Sequence, residues 1–159
     1  MVGDRKLFPG TTARDMPTPD RTQKDDETRL SSMLRRSGLR PTRQRLLLTR
    51  LLFSAGDRHA SAEMLHAEAI RAGEHVSLAT VYNALHRLRA AGLLRELAID
   101  GQRTYFDTNT SDHNHFYDEK RGVVWDIPAD TIRVDGLPLP PEGMTIAHVD
   151  VVVRLVEKR

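Results

Sequence analysis

The stretch SLATVYNALHRLRAAGLL, residues 77–94, decides how the rest of the chain is organised. Ser77 suits a helix N-cap and Gly92 a helix stop. Leu78, Val81, Leu85 and Leu88 recur at helical spacing between them, so the stretch reads as one amphipathic helix. At about 100° per residue the opposite face collects Ala79, Tyr82, Asn83, His86 and, to one side, Arg87. With Thr80, this N-terminal half is small and hydrogen-bonding. It can enter a DNA groove, meet a thymine methyl and bond adenine, while Arg87 reaches phosphate. An ordinary surface helix has the same spacing, so the flanks must arbitrate.

Upstream, residues 1–24 hold Pro9, Gly10, Pro17 and Pro19 with little apolar content and read as a flexible tail. From about Asp25, Leu30, Met33 and Leu34 predict a short helix closing at Gly38. Thr42 then caps a second helix filled by Leu46, Leu47, Leu51 and Leu52 to about Ser54. Arg35, Arg36, Arg40, Arg43, Arg45 and Arg50 gather round that junction, as phosphate contacts or as solvated helix ends. Residues 56–60 read as a loop. Ser61 caps a third helix with Met64, Leu65, Ala69 and Ile70 as its apolar positions, ending near Gly73. Residues 73–76 join it to the 77–94 helix as in a helix-turn-helix whose second helix reads DNA.

Downstream, residues 93–99 and 103–107 flank Asp100-Gly101, a hairpin signal that supplies a wing. Residues 25–107 therefore make a winged-helix DNA-binding domain. Residues 108–159 differ in character. Two short strands, 113–119 and 123–127, surround a turn at Arg121-Gly122, and Pro-rich residues 128–143 leave room for one helical turn near Ala129. Residues 145–156 read as a long strand from their β-branched content. So small and apolar a sheet leaves a face uncovered in a monomer, which predicts a homodimer through residues 110–159. The fold class is α+β: an N-terminal winged helix-turn-helix domain plus a small C-terminal α/β dimerisation and ligand-sensing domain.

Composition sets limits on chemistry. The 159 residues, 39% apolar, allow one or two small cores and no large enzyme barrel. With no cysteine, disulfides, thiol catalysis, iron–sulfur ligation and a Cys-bound structural zinc are excluded. No run approaches the ~18 apolar residues of a membrane span, and no secretory h-region follows Arg5 and Lys6, so a cytoplasmic protein is expected. Residues 1–98 carry 17 Lys/Arg against 11 Asp/Glu, and residues 99–159 carry 7 against 11. The halves are thus +6 and −4, which places a nucleic-acid footprint on the first.

His113 and His115 alternate, so on a strand both imidazoles project from one face and can share an ion. An isolated His-x-His is often incidental. Here Asp107 ends the wing strand just before it, Asp126 sits across the expected hairpin, and His59 can swing in from its loop. Three imidazoles and two carboxylates suit Zn²⁺, Mn²⁺ or Fe²⁺. His66, His75 and His86 read as solvated or packed. His148 is either a satisfied core histidine, the favoured reading, or a ligand of a second site, and Trp125 reads as core.

The order LRPTRQR (39–45), HASAE (59–63), SLATVYNAL (77–85), GLL (92–94) and His113-Asn-His115 resembles the ferric uptake regulator family over residues 30–156. The resemblance implies a dimeric regulator of AT-rich operators, with a regulatory metal between its domains on His59, Asp107, His113, His115 and Asp126. It also implies operator contacts by Tyr82 and, in the minor groove, Arg40. Asn83 replaces an arginine of the iron-sensing branch, and the cysteines of a structural zinc site are missing. Asp112, Asn114 and Arg133 supply the family's second site poorly.

A cysteine-free chain with His-Asn-His and a shortened Pro-rich second domain is most similar to the iron response regulator branch. That branch implies haem sensing and control of iron and haem homeostasis genes. The branch's Cys-Pro haem motif is absent, which leaves haem to His113 and His115. The expectation is therefore a repressor-type, non-enzymatic regulator. It binds double-stranded operator DNA through Arg40, Arg43, Ala79, Thr80, Tyr82, Asn83 and Arg87, under haem or a divalent metal. A metal-dependent repressor without haem, a His-x-His hydrolase or nuclease, and an architectural DNA binder with a structural metal are the alternatives.

Overall fold

The computed structural model describes residues 21–99 and 103–158. Four helices come first: α1 (Arg21–Arg36), α2 (Arg43–Phe53), α3 (Ala62–Arg71) and α4 (Leu78–Ala90), with a short strand β1 (His59–Ser61) between α2 and α3. Side-chain oxygens start three of them. Thr42 accepts from the Arg45 amide, Ser61 from that of Met64 and Ser77 from that of Thr80. At the end of α4, Gly92 takes φ 74°, where its amide donates to Arg89 and that of Leu93 donates back to Leu88. An L-residue would strain this closure. Leu34, Leu48, Leu52, Leu65, Val81, Leu85 and Leu88 from the four helices pack with Phe106 of the wing into one core.

The sequence reading of α4 holds, with Val81, Leu85 and Leu88 inside, although Leu78 at its first turn is exposed. On α3, Met64 and Ile70 are exposed and Ala62 takes an inward place beside Leu65 and Ala69. Small residues fill that face because α3 packs closely against α2 and α4. Helix α1 starts at Arg21, within the segment expected to be tail; residues 1–20 lie outside the described residues, as does the Asp100-Gly101 turn.

Strands β2 (Arg95–Ala98) and β3 (Thr104–Asp107) pair antiparallel as the expected wing, and β1 adds a third strand to give the order β1-β3-β2. Residues 59–61 are thus not loop. Ala60 and Ser61 are buried, and their backbone groups are paired through the ladder with β3.

The second sheet has the order β5-β4-β6. Here β4 (His113–Asp118) is central, β5 (Val123–Pro128) is antiparallel to it and β6 (Val152–Leu155) parallel, and a 3₁₀ turn follows β5 at Ala129–Thr131. The long strand expected over 145–156 is short, because β4 offers pairing only from His115 to Asp118. Residues 145–150 are exposed and unpaired in any ladder. Trp125 is not core. It is 43% exposed, beside Phe116 across the hairpin, on the face pointing away from the winged half.

The wing does not stand free. Leu97, Ile99 and Tyr105 pack with Tyr117 and Val124 into a second apolar cluster, with Val152 against it. The Tyr105 and Tyr117 rings meet edge-on at 5.9 Å, and the Tyr105 hydroxyl donates to the Gly122 carbonyl at 3.1 Å. Arg154 donates to the Ile99 carbonyl and lies over Tyr117. No helix among the described residues is long and apolar enough to cross a membrane.

Candidate metal centre

Strand register assembles the cluster. The β1–β3 ladder sets His59 opposite Asp107, the β4–β5 ladder sets His115 opposite Asp126, and the two-residue period puts His113 beside His115. All five expected ligands meet, with one donor atom from each lying within 4.8 Å of every other. Asp107 Oδ2 is 2.8 Å from His113 Nε2, 3.3 Å from His59 Nε2 and 3.4 Å from His115 Nε2; Asp126 Oδ1 is 3.0 Å from His59 Nε2 and 3.5 Å from His113 Nε2. Asp107, His113 and His115 are buried and Asp126 opens to solvent.

Apart from the bond between His115 Nε2 and Asp107 Oδ2, the donors converge without satisfying one another. His59 Nε2, His113 Nε2 and His115 Nδ1 are buried and make no hydrogen bond, although carboxylate oxygens stand within contact distance of the first two. Buried nitrogens left in this way are costly unless something else takes their lone pairs. His113 Nδ1 donates to the Ser111 carbonyl at 2.8 Å, which puts the ring proton there and leaves Nε2 a free donor to a cation. Burial raises the Asp107 carboxyl. The imidazoles of His115 and His59 facing it, the Asn109 amide and the nearby imidazole charge outweigh that and hold it well below the usual carboxylate range. Asp107 therefore remains ionised, and three imidazole nitrogens with two carboxylates make a nitrogen–oxygen donor set fitted to Zn²⁺, Mn²⁺ or Fe²⁺.

On α4, Ala79, Asn83, His86 and Arg87 are exposed as the outward face requires. Tyr82 is half-buried, stacked on His86 at 6.2 Å, and its hydroxyl donates to Glu63 of α3 at 2.5 Å. That bond lowers the Glu63 carboxyl and raises the phenol. Thr80 shares its hydroxyl with Ser77 at 2.8 Å. Thr80, Asn83 and Arg87 line a notch of about 100 Å³ with Thr42, Gln44 and Arg45, so the N-terminus of α2 faces the same way as α4. Arg40 is exposed, and Arg43 leans on Glu74 at 3.2 Å.

No sequence signal marks Asn109 or Glu63, because their side chains act on Asp126 and Tyr82, distant in the chain. His66 bonds the Val76 carbonyl at 2.9 Å, a packed role as expected. His148 is not a core histidine. It lies 40% exposed beside Asp150 and Asp112, and the Arg95 guanidinium donates into that group.

A winged helix joined to a small second sheet, with three imidazoles and two carboxylates at the joint, is an architecture that could pair a DNA-reading half with an ion held between its halves. The profile of the Ferric uptake regulator family matches residues 36–154, and the chain belongs to that family. The Ferric uptake regulation protein of Pseudomonas aeruginosa is 40% identical over 84 residues, 53% of this chain and 63% of the relative. The Peroxide-responsive repressor PerR of Staphylococcus epidermidis is 33% identical over 93 residues, 58% of this chain and 61% of the relative. The chain thus spans under two thirds of the length of these two relatives.

The structure of the ferric uptake regulator from Pseudomonas aeruginosa with manganese, 29% identical, covers 81% of this chain and 98% of its own with a TM-score of 0.60. The Vibrio cholerae ferric uptake regulator, 24% identical, shares the fold with a TM-score of 0.64 over 78% of this chain and 96% of its own. Members of this family are transcriptional regulators and not enzymes, which sets aside the hydrolase or nuclease reading.

Proposed function

We propose that the chain is a metal-responsive transcriptional regulator that binds double-stranded operator DNA as a homodimer. We further propose that, as an iron response regulator, it controls genes of iron and haem homeostasis. The observation that carries the proposal is that the ion site draws ligands from both halves: His59 and Asp107 from the winged half, His113, His115 and Asp126 from the second sheet. A bound Mn²⁺, Fe²⁺ or Zn²⁺ would supply the positive charge that the two carboxylates lack. His59 and Asp107 on β1 and β3 then share a partner with β4 and β5, and the reading helix keeps one orientation relative to the dimerising sheet. The deciding experiment is a titration of operator binding with each ion. An affinity indifferent to all three would leave only an architectural DNA binder.

The haem expectation rests on the likeness to the iron response regulator branch. The folded cluster fits an ion and not a haem, since a macrocycle needs an open face and the rings of His113 and His115 are only 4% and 1% exposed. Haem titration followed by absorption decides between them: a spectral shift that disappears on replacing both histidines would assign haem to this cluster.

Operator recognition falls to α4. Tyr82→Ala and Asn83→Ala are each expected to remove about 1–3 kcal/mol of sequence discrimination, whereas Arg40→Ala or Arg43→Ala weakens binding to every sequence and lowers the salt slope by about one per lost phosphate contact. Binding isotherms on operator and scrambled duplexes at several salt concentrations separate the two. Tyr82→Phe changes little, because the hydroxyl is already committed to Glu63.

Dimerisation falls to the outer face of the second sheet, where Phe116, Val123, Trp125 and Leu155 stand exposed together on adjacent strands. Trp125→Glu is expected to shift the protein from dimer to monomer in sedimentation. As the chain's single tryptophan, Trp125 also reports the change by a red shift of native emission on dilution.

A further inference from the structure

Asn109 lies between the wing and the second sheet, at the start of the five-residue link from β3 to β4 that ends at Asp112. Its backbone amide donates to Asp107 Oδ1 at 2.8 Å and its Nδ2 donates to Asp126 Oδ2 at 3.0 Å. The other oxygen of each carboxylate, Asp107 Oδ2 and Asp126 Oδ1, is the one that faces the imidazoles. One residue thus holds both carboxylates by their outer oxygens and leaves one inner oxygen of each free. The amide cannot be turned round. Asn109 Oδ1 accepts from the Ser111 amide at 3.1 Å and from the Ser111 hydroxyl at 2.6 Å, so the nitrogen has to face Asp126. The Ser111 carbonyl in turn accepts from His113 Nδ1. Three of the five donors are therefore oriented by one residue that is not itself a ligand: Asp107 by its backbone amide, Asp126 by its side chain and His113 through Ser111.

We propose that Asn109 is the positioning residue of this centre: it sets the spacing of the two carboxylate oxygens and thereby the ion affinity and coordination geometry. The proposal rests on the reading of the cluster as an ion site. Asp126 depends on Asn109 most, because it is the most exposed of the five, and among the described residues its second oxygen accepts from Asn109 alone. Without that bond the carboxylate is free to turn its charge toward water, and the ion loses a fixed donor. Partners of this kind tune metal affinity by about 10–100-fold in other sites.

The test uses the full-length protein and Co²⁺, whose visible absorption reports coordination, with Zn²⁺ competition for affinity. Asn109→Ala is expected to weaken Co²⁺ binding by about 10–100-fold and to change the intensity of its visible bands. Asn109→Asp keeps the acceptor for Ser111 but sets a negative oxygen against Asp126, and it should disturb the spectrum likewise. It also stands in for Asn109→Ala should that variant not fold. Because Asn109 acts largely through Asp126, the variant with both Asn109→Ala and Asp126→Ala should lose less affinity than the product of the two single losses. Losses that multiply, or an unchanged Co²⁺ spectrum in both Asn109 variants, would overturn the positioning role. Wild-type protein that binds no Co²⁺ would overturn the ion-site reading itself, and the proposal with it.

Discussion

Protein carrying His113→Ala together with His115→Ala is expected to lose more than about 100-fold in affinity for Mn²⁺ or Zn²⁺, and its operator affinity should no longer change when ion is added. The size follows from the donor count. Partners outside the ligand shell shift affinity by about 10–100-fold, and here two of five candidate ligands go, both from the buried side of the site. The same change leaves Asp107 buried with fewer partners, since His113 and His115 both stand against its Oδ2. A buried carboxylate without partners is strongly destabilising. Stability and binding must therefore be separated. Replacing both histidines by glutamine keeps hydrogen-bond donors near Asp107 and should restore much of the thermal stability without restoring ion affinity. Calorimetric titration and thermal melts of the three proteins check this. Retained affinity in the glutamine variant would mean that His59, Asp107 and Asp126 suffice to hold the ion.

Much of this arrangement was legible in the chain because its signals are local. Ser77 and Gly92 mark the ends of α4 by their own chemistry, and the spacing of Val81, Leu85 and Leu88 needs no knowledge of what they pack against. The alternation of His113 and His115 likewise fixes their common face. Strand β1 carries no such signal: three residues cannot display a period, and the partner that makes them a strand is β3, beyond two helices. From the sequence, His59 therefore reads as a reachable loop position, whereas the ladder sets it opposite Asp107. Trp125 was misplaced although the chain contained the answer. With Asp126 in the cluster, strand period turns its neighbour Trp125 to the other face, whatever its size. The long strand over 145–156 overestimates β6 because β-branched content says what a segment tolerates, whereas pairing length is set by the four residues β4 offers. Asn109 becomes visible only after both carboxylates are in place.

Tyr105→Ala is expected to destabilise the protein by about 3–5 kcal/mol and, at temperatures where it remains folded, to make operator binding more dependent on ion than in the wild type. Tyr105 is 1% exposed at the seam between wing and second sheet, where it meets Tyr117 and bonds Gly122. It shares β3 with Asp107, so the seam and the proposed ion site would be two ties between the same pair of sheets. A ligand shifts an equilibrium only by its preference for one state, and only where the other state is populated. While the seam of Leu97, Ile99, Tyr105, Tyr117 and Val124 holds the halves together, the closed state is partly populated without ion, and an ion can add only the remainder. Loosening the seam populates open arrangements and hands the work of closure to the cluster. The ratio of operator Kd without and with Mn²⁺ should then rise by at least about fivefold, within the usual range of coupling between sites. Tyr105→Phe, which loses only the bond to Gly122, should fall between. An equal ratio in all three proteins would show that the seam alone sets the angle of the reading heads and that the ion acts elsewhere.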